Sequence, residues 1–215
     1  MWPNGLLNII SRGSRSEPYI YLTFDDGPDP VFTPRVLDIL AALNVHATFF
    51  VVGIACQRHP ELLRRILREG HAIGNHSFSH RHPWTIPAKT ARMEVRLGFD
   101  AISDIGNHPP QVFRPPYGRL RKAMLEEAEL LGLKTVLWNR SGVDWGTLAK
   151  PTAIARRLAS TRNGDILLLH DAAMIRNHPE MVLTVLPGLI NSCYRKSLQF
   201  VTVDRLAVES ATALH

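Results

Sequence analysis

The feature that most constrains the fold of this chain is a regular alternation of short apolar runs with helical patterns. Runs with the length and composition of β-strands occupy residues 19–24, 47–52, 72–74, 112–113, 134–138, 165–169 and 199–203. Segments with helical periodicity occupy residues 33–43, 60–69, 87–105, 120–131, 152–159 and 180–195. Strands that alternate with helices form βαβ units around a parallel sheet. The alternation therefore predicts a compact, barrel-like α/β fold with about seven parallel strands.

The length of 215 residues fits one domain, and the strand and helix patterns place that domain at residues 19–204. We expect an N-terminal arm at 1–18 and a C-terminal tail at 205–215. Hydrophobic residues make up 45% and charged residues 20%, which is typical of globular proteins and excludes disorder and coiled coils. The 25 Lys and Arg against 19 Asp and Glu give a net charge of +6. Because these basic residues are scattered along the chain, we expect no nucleic-acid partner.

The sequence contains no apolar run of about 18 residues, so we expect no transmembrane helix. The first residues lack the basic cluster that precedes the apolar core of a signal peptide. Two cysteines without a pairing pattern exclude a disulfide scaffold. We therefore expect a cytoplasmic location, unless an export signal has been removed. Nothing in the sequence indicates an oligomeric state.

Ionisable side chains follow five of the predicted strands, at the point where each strand ends. They are Asp25, Asp26, His76, His80, Arg114, Asp144, His170 and Asp171. Because active sites of α/β barrels form at the carboxyl ends of the strands, we expect these side chains to converge. Taken alone, Asp25-Asp26 also fits a polar turn, and His76/His80 also fits the start of a surface helix. However, two adjacent carboxylates behind a buried strand are unfavourable unless a cation or an arginine offsets them.

A divalent metal ion would supply that positive charge. One of the two carboxylates, with His76 and His80, forms a three-ligand set suited to Zn²⁺ or another divalent ion that holds a water molecule. The pKa of such a water is about 7, so the second carboxylate can act as general base. His170 then remains to protonate a leaving group, with Asp144 fixing its tautomer, while Arg114 keeps the base ionised. The set predicts metal-assisted hydrolysis of an amide or ester.

Five ordered motifs resemble the polysaccharide deacetylases of the NodB-homology type, carbohydrate esterase family 4. They are Thr-Phe-Asp-Asp-Gly-Pro at 23–28, Asn-His-Ser-Phe-Ser-His at 75–80, Arg-Pro-Pro-Tyr-Gly at 114–118, Asp-Trp at 144–145 and Leu-Leu-His-Asp at 168–171. The resemblance covers about residues 19–204 and implies a distorted (β/α) barrel. It implies metal-dependent removal of N-acetyl groups from N-acetylglucosamine units of an oligo- or polysaccharide. The length and the absence of extra modules look most like the rhizobial chitooligosaccharide deacetylases.

The resemblance also implies which residues bind the metal ion and activate water. Asp26, His76 and His80 would bind the ion, most simply Zn²⁺, with Co²⁺ or another divalent ion as alternatives. Asp25 would be the general base that deprotonates the bound water. Arg114 would orient Asp25.

The remaining motif residues would act on the leaving group and the acyl group. His170 would be the general acid toward the leaving amine, and Asp144 would tune it. The backbone N–H of Tyr117 would help to hold the oxyanion. The substrate-binding residues would be Trp138 and Leu168, which line the pocket for the acetyl methyl group, and Pro116.

Two stretches depart from the family pattern. Ser141 stands where the family often has an aspartate, and Arg-His-Pro-Trp at 81–84 follows His80 where the family commonly has Pro, a small or polar residue and Leu. Trp84 in that stretch either stacks on a sugar ring or packs against the protein.

Three other functions remain open. The same chemistry could act on a lipid-linked aminosugar, a peptidoglycan fragment or a small N-acylated metabolite. A glycan-binding module without activity would not need the complete catalytic set. An Fe(II) oxygenase shares the carboxylate and two histidines, but it needs neither the adjacent base nor the distant acid.

Overall fold

The computed structural model describes residues 9–174 and 176–207, in which strands and helices alternate. Residues 1–8 of the predicted arm (1–18) and residues 208–215 of the predicted tail (205–215) lie outside the described residues. The strands are β1 (Tyr19–Asp25), β2 (Thr48–Val51), β3 (Ala72–Asn75), β4 (Val112–Phe113), β5 (Lys134–Thr135), β6 (Arg140–Ser141), β7 (Ile166–His170) and β8 (Gln199–Phe200). The helices are α1 (Thr33–Ala42), α2 (Gly53–Arg58), α3 (Pro60–Arg68), α4 (Ala88–Gly106), α5 (Lys122–Leu130), α6 (Pro151–Leu158) and α7 (Pro179–Tyr194). Short 3₁₀ turns span Pro83–Thr85 and Pro116–Gly118.

Seven strands form one parallel sheet in the order β5-β4-β3-β2-β1-β7-β6, and β8 pairs with the start of β1. The sheet curls into a half-barrel with helices packed against it, which confirms the predicted distorted barrel of about seven parallel strands. β1 lies at its centre, where Asp25 is in register with Phe50 of β2 and His170 of β7. The carboxyl ends of these three strands therefore meet at one edge.

The central strands alternate between two environments, as the period of two in a β-strand requires. On β1, Ile20, Leu22 and Phe24 pack into the large core between sheet and helices. Tyr21 points to the other face, where it packs with Val136 and other residues inside the curled sheet. Thr23 and Asp25 follow Tyr21 on this inner face, so one strand runs from an apolar interior to the polar strand ends.

The segment before β1 extends the sheet at its β5 edge. The N–H of Ile10 donates to the carbonyl of Thr135 at 2.9 Å, and the carbonyl of Ile10 accepts from the N–H of Leu137 at 2.7 Å. Arg15 forms an ion pair with the buried Asp165 at 2.7 Å. These contacts place residues of the N-terminal segment against the sheet.

Two local elements differ from the sequence pattern. The run at 134–138, read as one strand, stops at Thr135, and the chain forms the separate strand β6 two residues beyond Trp138. Between them, the side chain of Asn139 accepts from the N–H of Ile166 and donates to Asp165, while its backbone N–H donates to the carbonyl of Ile166 at 3.3 Å. Helix α2 was not predicted, because six residues are too few to show a helical period.

Candidate active site

Three potential metal ligands converge at the carboxyl ends of β1 and β3. Ligand atoms of Asp26, His76 and His80 all lie within 4.8 Å of one another, and the three residues are buried. Asp26 Oδ1 is 3.4 Å from His76 Nε2 and 3.0 Å from His80 Nε2. One carboxylate oxygen and two imidazole nitrogens thus point at a common position.

The hydrogen bonds around this cluster fit a divalent cation. His76 Nδ1 lies 2.7 Å from the carbonyl oxygen of Arg114, so Nδ1 donates and Nε2 keeps its lone pair. Within the described residues, the buried Asp26 Oδ1 has no hydrogen-bond donor. Burial alone would raise the pKa of Asp26, but the neighbouring imidazoles of His76 and His80 outweigh it and hold the pKa well below its usual value. An ionised oxygen facing two imidazole nitrogens is a ligand set for Zn²⁺ or a similar ion.

The two histidines lie in a loop after β3 and not on one turn of a helix. Ser77 and His80 adopt left-handed backbone conformations, with φ of 69° and 56°. The side chain of Asn75 stabilises this loop, because its Oδ1 accepts from the N–H of Ser77 and its Nδ2 donates to Val95. Ser77 Oγ in turn accepts from the N–H of His80 at 3.1 Å. The loop therefore turns both rings toward Asp26.

Asp25 is held by a buried arginine that lies inside the curled sheet. Arg114 Nη1 donates to Asp25 Oδ1 at 2.6 Å and to Thr23 Oγ1 at 2.8 Å. Its guanidinium lies 3.9 Å from the ring centroid of Phe50 and is fully buried. Burial lowers the pKa of Arg114, whereas the Asp25 charge opposes that change. The second Asp25 oxygen, Oδ2, lies 3.7 Å from His76 Nε2 and so faces the ligand cluster.

His170 and Asp144 form a second buried charge pair on the other side of the cluster. His170 Nδ1 lies 3.0 Å from Asp144 Oδ1, and the backbone N–H of His170 donates to Asp144 Oδ2 at 2.7 Å. Burial tends to lower the pKa of His170, but the charge and hydrogen bond of Asp144 raise it to about 9. The ring edge of Trp145 packs against the imidazole, and His170 Nε2 points toward Asp26 Oδ2 at 3.9 Å.

These groups surround a cavity of about 520 Å³. It is lined by Asp25, Asp26, His76, His80, Tyr117, Gly118, Arg119, Trp138, Trp145, Leu168, His170, Met174, Arg176 and Asn177. Of the residues predicted from the sequence, Arg114 and Asp144 lie beneath the lining and contact it through Asp25 and His170. Pro116 is buried and does not belong to the lining, whereas Tyr117, Trp138 and Leu168 do.

The sequence reasoning missed the loop after β7. Met174, Arg176 and Asn177 line the cavity although they follow His170 by four to seven residues. The backbone of Asn177 pairs with Trp145, which brings this loop over the site. No periodicity or motif marks such a loop, because its position depends on a contact with a distant segment. Trp145, which also lines the cavity, had a signal, because it belongs to the Asp-Trp motif at 144–145.

A curled parallel sheet with a buried Asp-His-His set beside two carboxylate–cation pairs defines an α/β-barrel hydrolase with a candidate divalent-metal site. Residues 12–136 match the family model described as polysaccharide deacetylase. The chain belongs to this family, so the predicted class of enzyme, a carbohydrate deacetylase, is confirmed.

Two relatives and one solved structure illustrate the similarity. A peptidoglycan-N-acetylglucosamine deacetylase of Bacillus cereus is 36% identical over 194 residues, which cover 89% of each chain. A chitooligosaccharide deacetylase of Sinorhizobium fredii is 38% identical over 169 residues, covering 77% of each chain. A crystal structure of a peptidoglycan N-acetylglucosamine deacetylase superimposes with a TM-score of 0.85 at 30% identity, covering 92% of this chain and 91% of that one.

None of the helices in the described part of the chain is long and apolar enough to cross a membrane.

Proposed function

We propose that the chain hydrolyses the N-acetyl groups of N-acetylglucosamine units in an oligo- or polysaccharide, with Zn²⁺ as the bound ion. The observation that carries this proposal is the placement of the Asp25–Arg114 pair and the His170–Asp144 pair beside one Asp-His-His cluster. A base and an acid near a single metal position are what amide hydrolysis requires. The names of the two relatives, a peptidoglycan-N-acetylglucosamine deacetylase and a chitooligosaccharide deacetylase, support this substrate class.

In this mechanism Asp26, His76 and His80 would hold the ion, which would lower the pKa of a water molecule to about 7. Asp25 Oδ2 would take up the proton of the attacking water. Arg114 holds Asp25 Oδ1, and this leaves the other oxygen directed at the cluster.

The departing amine receives its proton from His170 Nε2, which faces the cluster while Nδ1 is held by Asp144. The backbone N–H of Tyr117 donates to the oxygen that becomes negative, a contact typically worth about 3 kcal/mol. Tyr117 has a φ of 58°, and its ring lies 4.7 Å from that of His80. Tyr117 and Gly118 of this strained turn both line the cavity, which supports the proposed role.

The acetyl methyl group would occupy the apolar part of the cavity beside Trp138 and Leu168. Leu168 lies on the inner face of β7, one alternation before His170. Gly118 allows Trp138 to approach, because a Cβ at Gly118 would lie 2.6 Å from the indole. Trp138 and Leu168 thus form an apolar part of the cavity lining that also contains Asp25 and His170.

An exposed aromatic ring beside the cavity favours an oligosaccharide over a monosaccharide. Trp84 is 59% exposed, yet its Nε1 donates to the carbonyl of Leu120 at 3.2 Å. The guanidinium of Arg119, a cavity-lining residue, lies 5.0 Å from the Trp84 ring centroid. A fixed, solvent-facing indole next to the site offers a flat apolar surface on which a neighbouring sugar can stack.

A second candidate substrate is an aminosugar linked to a phosphorylated lipid carrier. Arg119 and Arg176 both line the cavity and provide positive charge near its mouth. Guanidinium groups bind phosphate well, so the same chemistry would act on an anionic substrate.

A panel of defined substrates distinguishes these candidates. The metal-loaded protein is incubated with chitooligosaccharides of one to six units, peptidoglycan fragments and diphosphate-linked N-acetylglucosamine, and released acetate is measured. We expect kcat/KM to rise with oligomer length. A clear preference for the phosphate-linked sugar would favour the second candidate, and no acetate from any N-acetylated glycan with metal bound would overturn both.

We also propose a cytoplasmic location. Cys56 and Cys193 are both free and buried, which is compatible with a reducing compartment.

A further inference from the structure

The two oxygens of the Asp26 carboxylate have different surroundings. Oδ1 faces His76 and His80, as described above. Oδ2 accepts a hydrogen bond of 2.6 Å from the side-chain amide of Asn177. His170 Nε2 lies on the same side of the carboxylate, 3.9 Å from Oδ2. Asn177 therefore occupies the hydrogen-bonding position that would otherwise be open to the imidazole of His170.

Backbone contacts with the segment that carries Asp144 hold Asn177 in this position. Asn177 forms an antiparallel bridge with Trp145. On either side, the N–H of Gly146 donates to Arg176 at 2.7 Å and the N–H of His178 donates to Asp144 at 2.8 Å. The amide of Asn177 is thus anchored to a segment that also positions the His170–Asp144 pair.

We propose that Asn177 is a positioning residue that sets the metal affinity of the site by fixing the orientation of Asp26. A carboxylate can rotate about its Cβ–Cγ bond, and His170 Nε2, 3.9 Å from Oδ2, is another group that could hold this oxygen. With the amide in place, Oδ2 is engaged and Oδ1 stays directed at the two histidines. This inference rests on the metal-binding role of the proposed function but not on the identity of its substrate.

The expected size of the effect follows from similar hydrogen bonds in other metal sites. Loss of a group that orients a metal ligand typically weakens metal binding by about 10- to 100-fold. Asn177 contacts Asp26 through its side chain only, so replacing the side chain leaves the backbone bridge to Trp145 in place. The loop should therefore keep its path while the carboxylate loses its restraint.

The test is the Zn²⁺ dissociation constant of the full chain, measured at pH 7.5 by competition with a chromophoric chelator. We expect Asn177→Ala to weaken Zn²⁺ binding by about 10- to 100-fold. Asn191→Ala is the matched control, because Asn191 is an exposed residue of α7. Its dissociation constant should stay within about twofold of wild type.

Asn177→Leu keeps the size of the side chain and removes the hydrogen-bond donor. It shows whether a loss of Zn²⁺ affinity in Asn177→Ala comes from the missing donor or from the cavity that alanine leaves. Melting of the metal-free variants shows whether they fold. Zn²⁺ affinities within twofold of wild type for both Asn177 variants would overturn the inference. If the wild type binds Zn²⁺ but releases no acetate, while Asn177→Ala still weakens binding, the proposed substrate fails and the role of Asn177 stands.

Discussion

The two ends of the curled sheet use the same strands for opposite purposes. At the amino end, Tyr21 and Ile166 pack with Val112 and Val136 in an apolar cluster. At the carboxyl end, the inner faces of β1 and β7 carry Asp25 and His170 instead. Four residues further along each strand, a buried ionisable side chain thus takes the place of a buried apolar one.

This difference shows which end stabilises the fold and which end performs chemistry. Burial of apolar surface contributes about 25 cal/mol per Å² at the amino end. Buried charges at the carboxyl end are costly unless they are paired. Asp25 is paired with Arg114 and Asp144 with His170, whereas Asp26 faces His76 and His80 in the candidate metal site. We expect substitutions at the two ends to separate activity from stability.

The largest effect should come from a metal ligand. His76→Ala removes one of three ligands, so acetate release should fall to the uncatalysed background and added Zn²⁺ should not restore it. Metal content after dialysis and acetate release are measured together. His108→Ala, which changes an exposed histidine away from the cluster, should retain both metal and activity. Full activity of His76→Ala at bound-metal levels like those of wild type would show that the cluster is not the catalytic centre.

Asp25→Asn should separate metal binding from turnover. The amide cannot accept a proton from water, so kcat should fall by about 10²- to 10⁴-fold. Because Asp26, His76 and His80 are unchanged, the bound metal should remain near one ion per chain. A kcat within tenfold of wild type would assign the base to another group.

The His170–Asp144 pair should determine how kcat depends on pH. The pKa of His170 is raised to about 9 by Asp144, against the lowering effect of burial. A general acid works while protonated, so the rate should fall as pH rises through this pKa. Asp144→Asn removes the stabilising charge and should move this limb of the kcat profile to lower pH. An unshifted limb would mean that another group is the acid.

The same pair affects stability with a sign that can be checked. Protonated His170 stabilises the fold through Asp144, because its folded-state pKa of about 9 lies above the usual value of 6.5. This stabilisation is complete below pH 6.5 and is lost as the pH rises toward 9. The free energy of unfolding of metal-free protein should fall over this window, and less so in Asp144→Asn.

The smallest effect on activity should come from the apolar end. Ile166→Ala leaves a cavity beneath the site and should lower the free energy of unfolding by about 2–5 kcal/mol. Urea denaturation measures this change. At a temperature where the variant is folded, kcat and the Zn²⁺ dissociation constant should stay within about twofold of wild type. A large loss of metal affinity would show that the two ends are coupled.

The alternation of apolar runs and helical patterns was sufficient to predict the parallel sheet, because strands such as β1 and β7 are buried on both faces and read as continuous apolar runs. The residues at strand ends could also be predicted, since a parallel sheet brings its carboxyl ends together. By contrast, the apolar run at 134–138 shows neither that β5 ends at Thr135 nor that β6 forms at Arg140–Ser141, because β6 depends on pairing with the distant β7. Asn177 reaches Asp26 only through a loop–loop bridge to Trp145, and such long-range contacts leave no local signal.

The most direct test of the account is metal-dependent acetate release from chitotetraose. Wild-type protein is stripped with a chelator, titrated with Zn²⁺, and assayed for acetate and for new free amines, with Asp25→Asn in parallel. We expect acetate and amine in equal amounts, rising with bound Zn²⁺ to about one ion per chain, and little product from Asp25→Asn. Stoichiometric Zn²⁺ binding without acetate release, or equal release by the metal-free protein, would contradict the account.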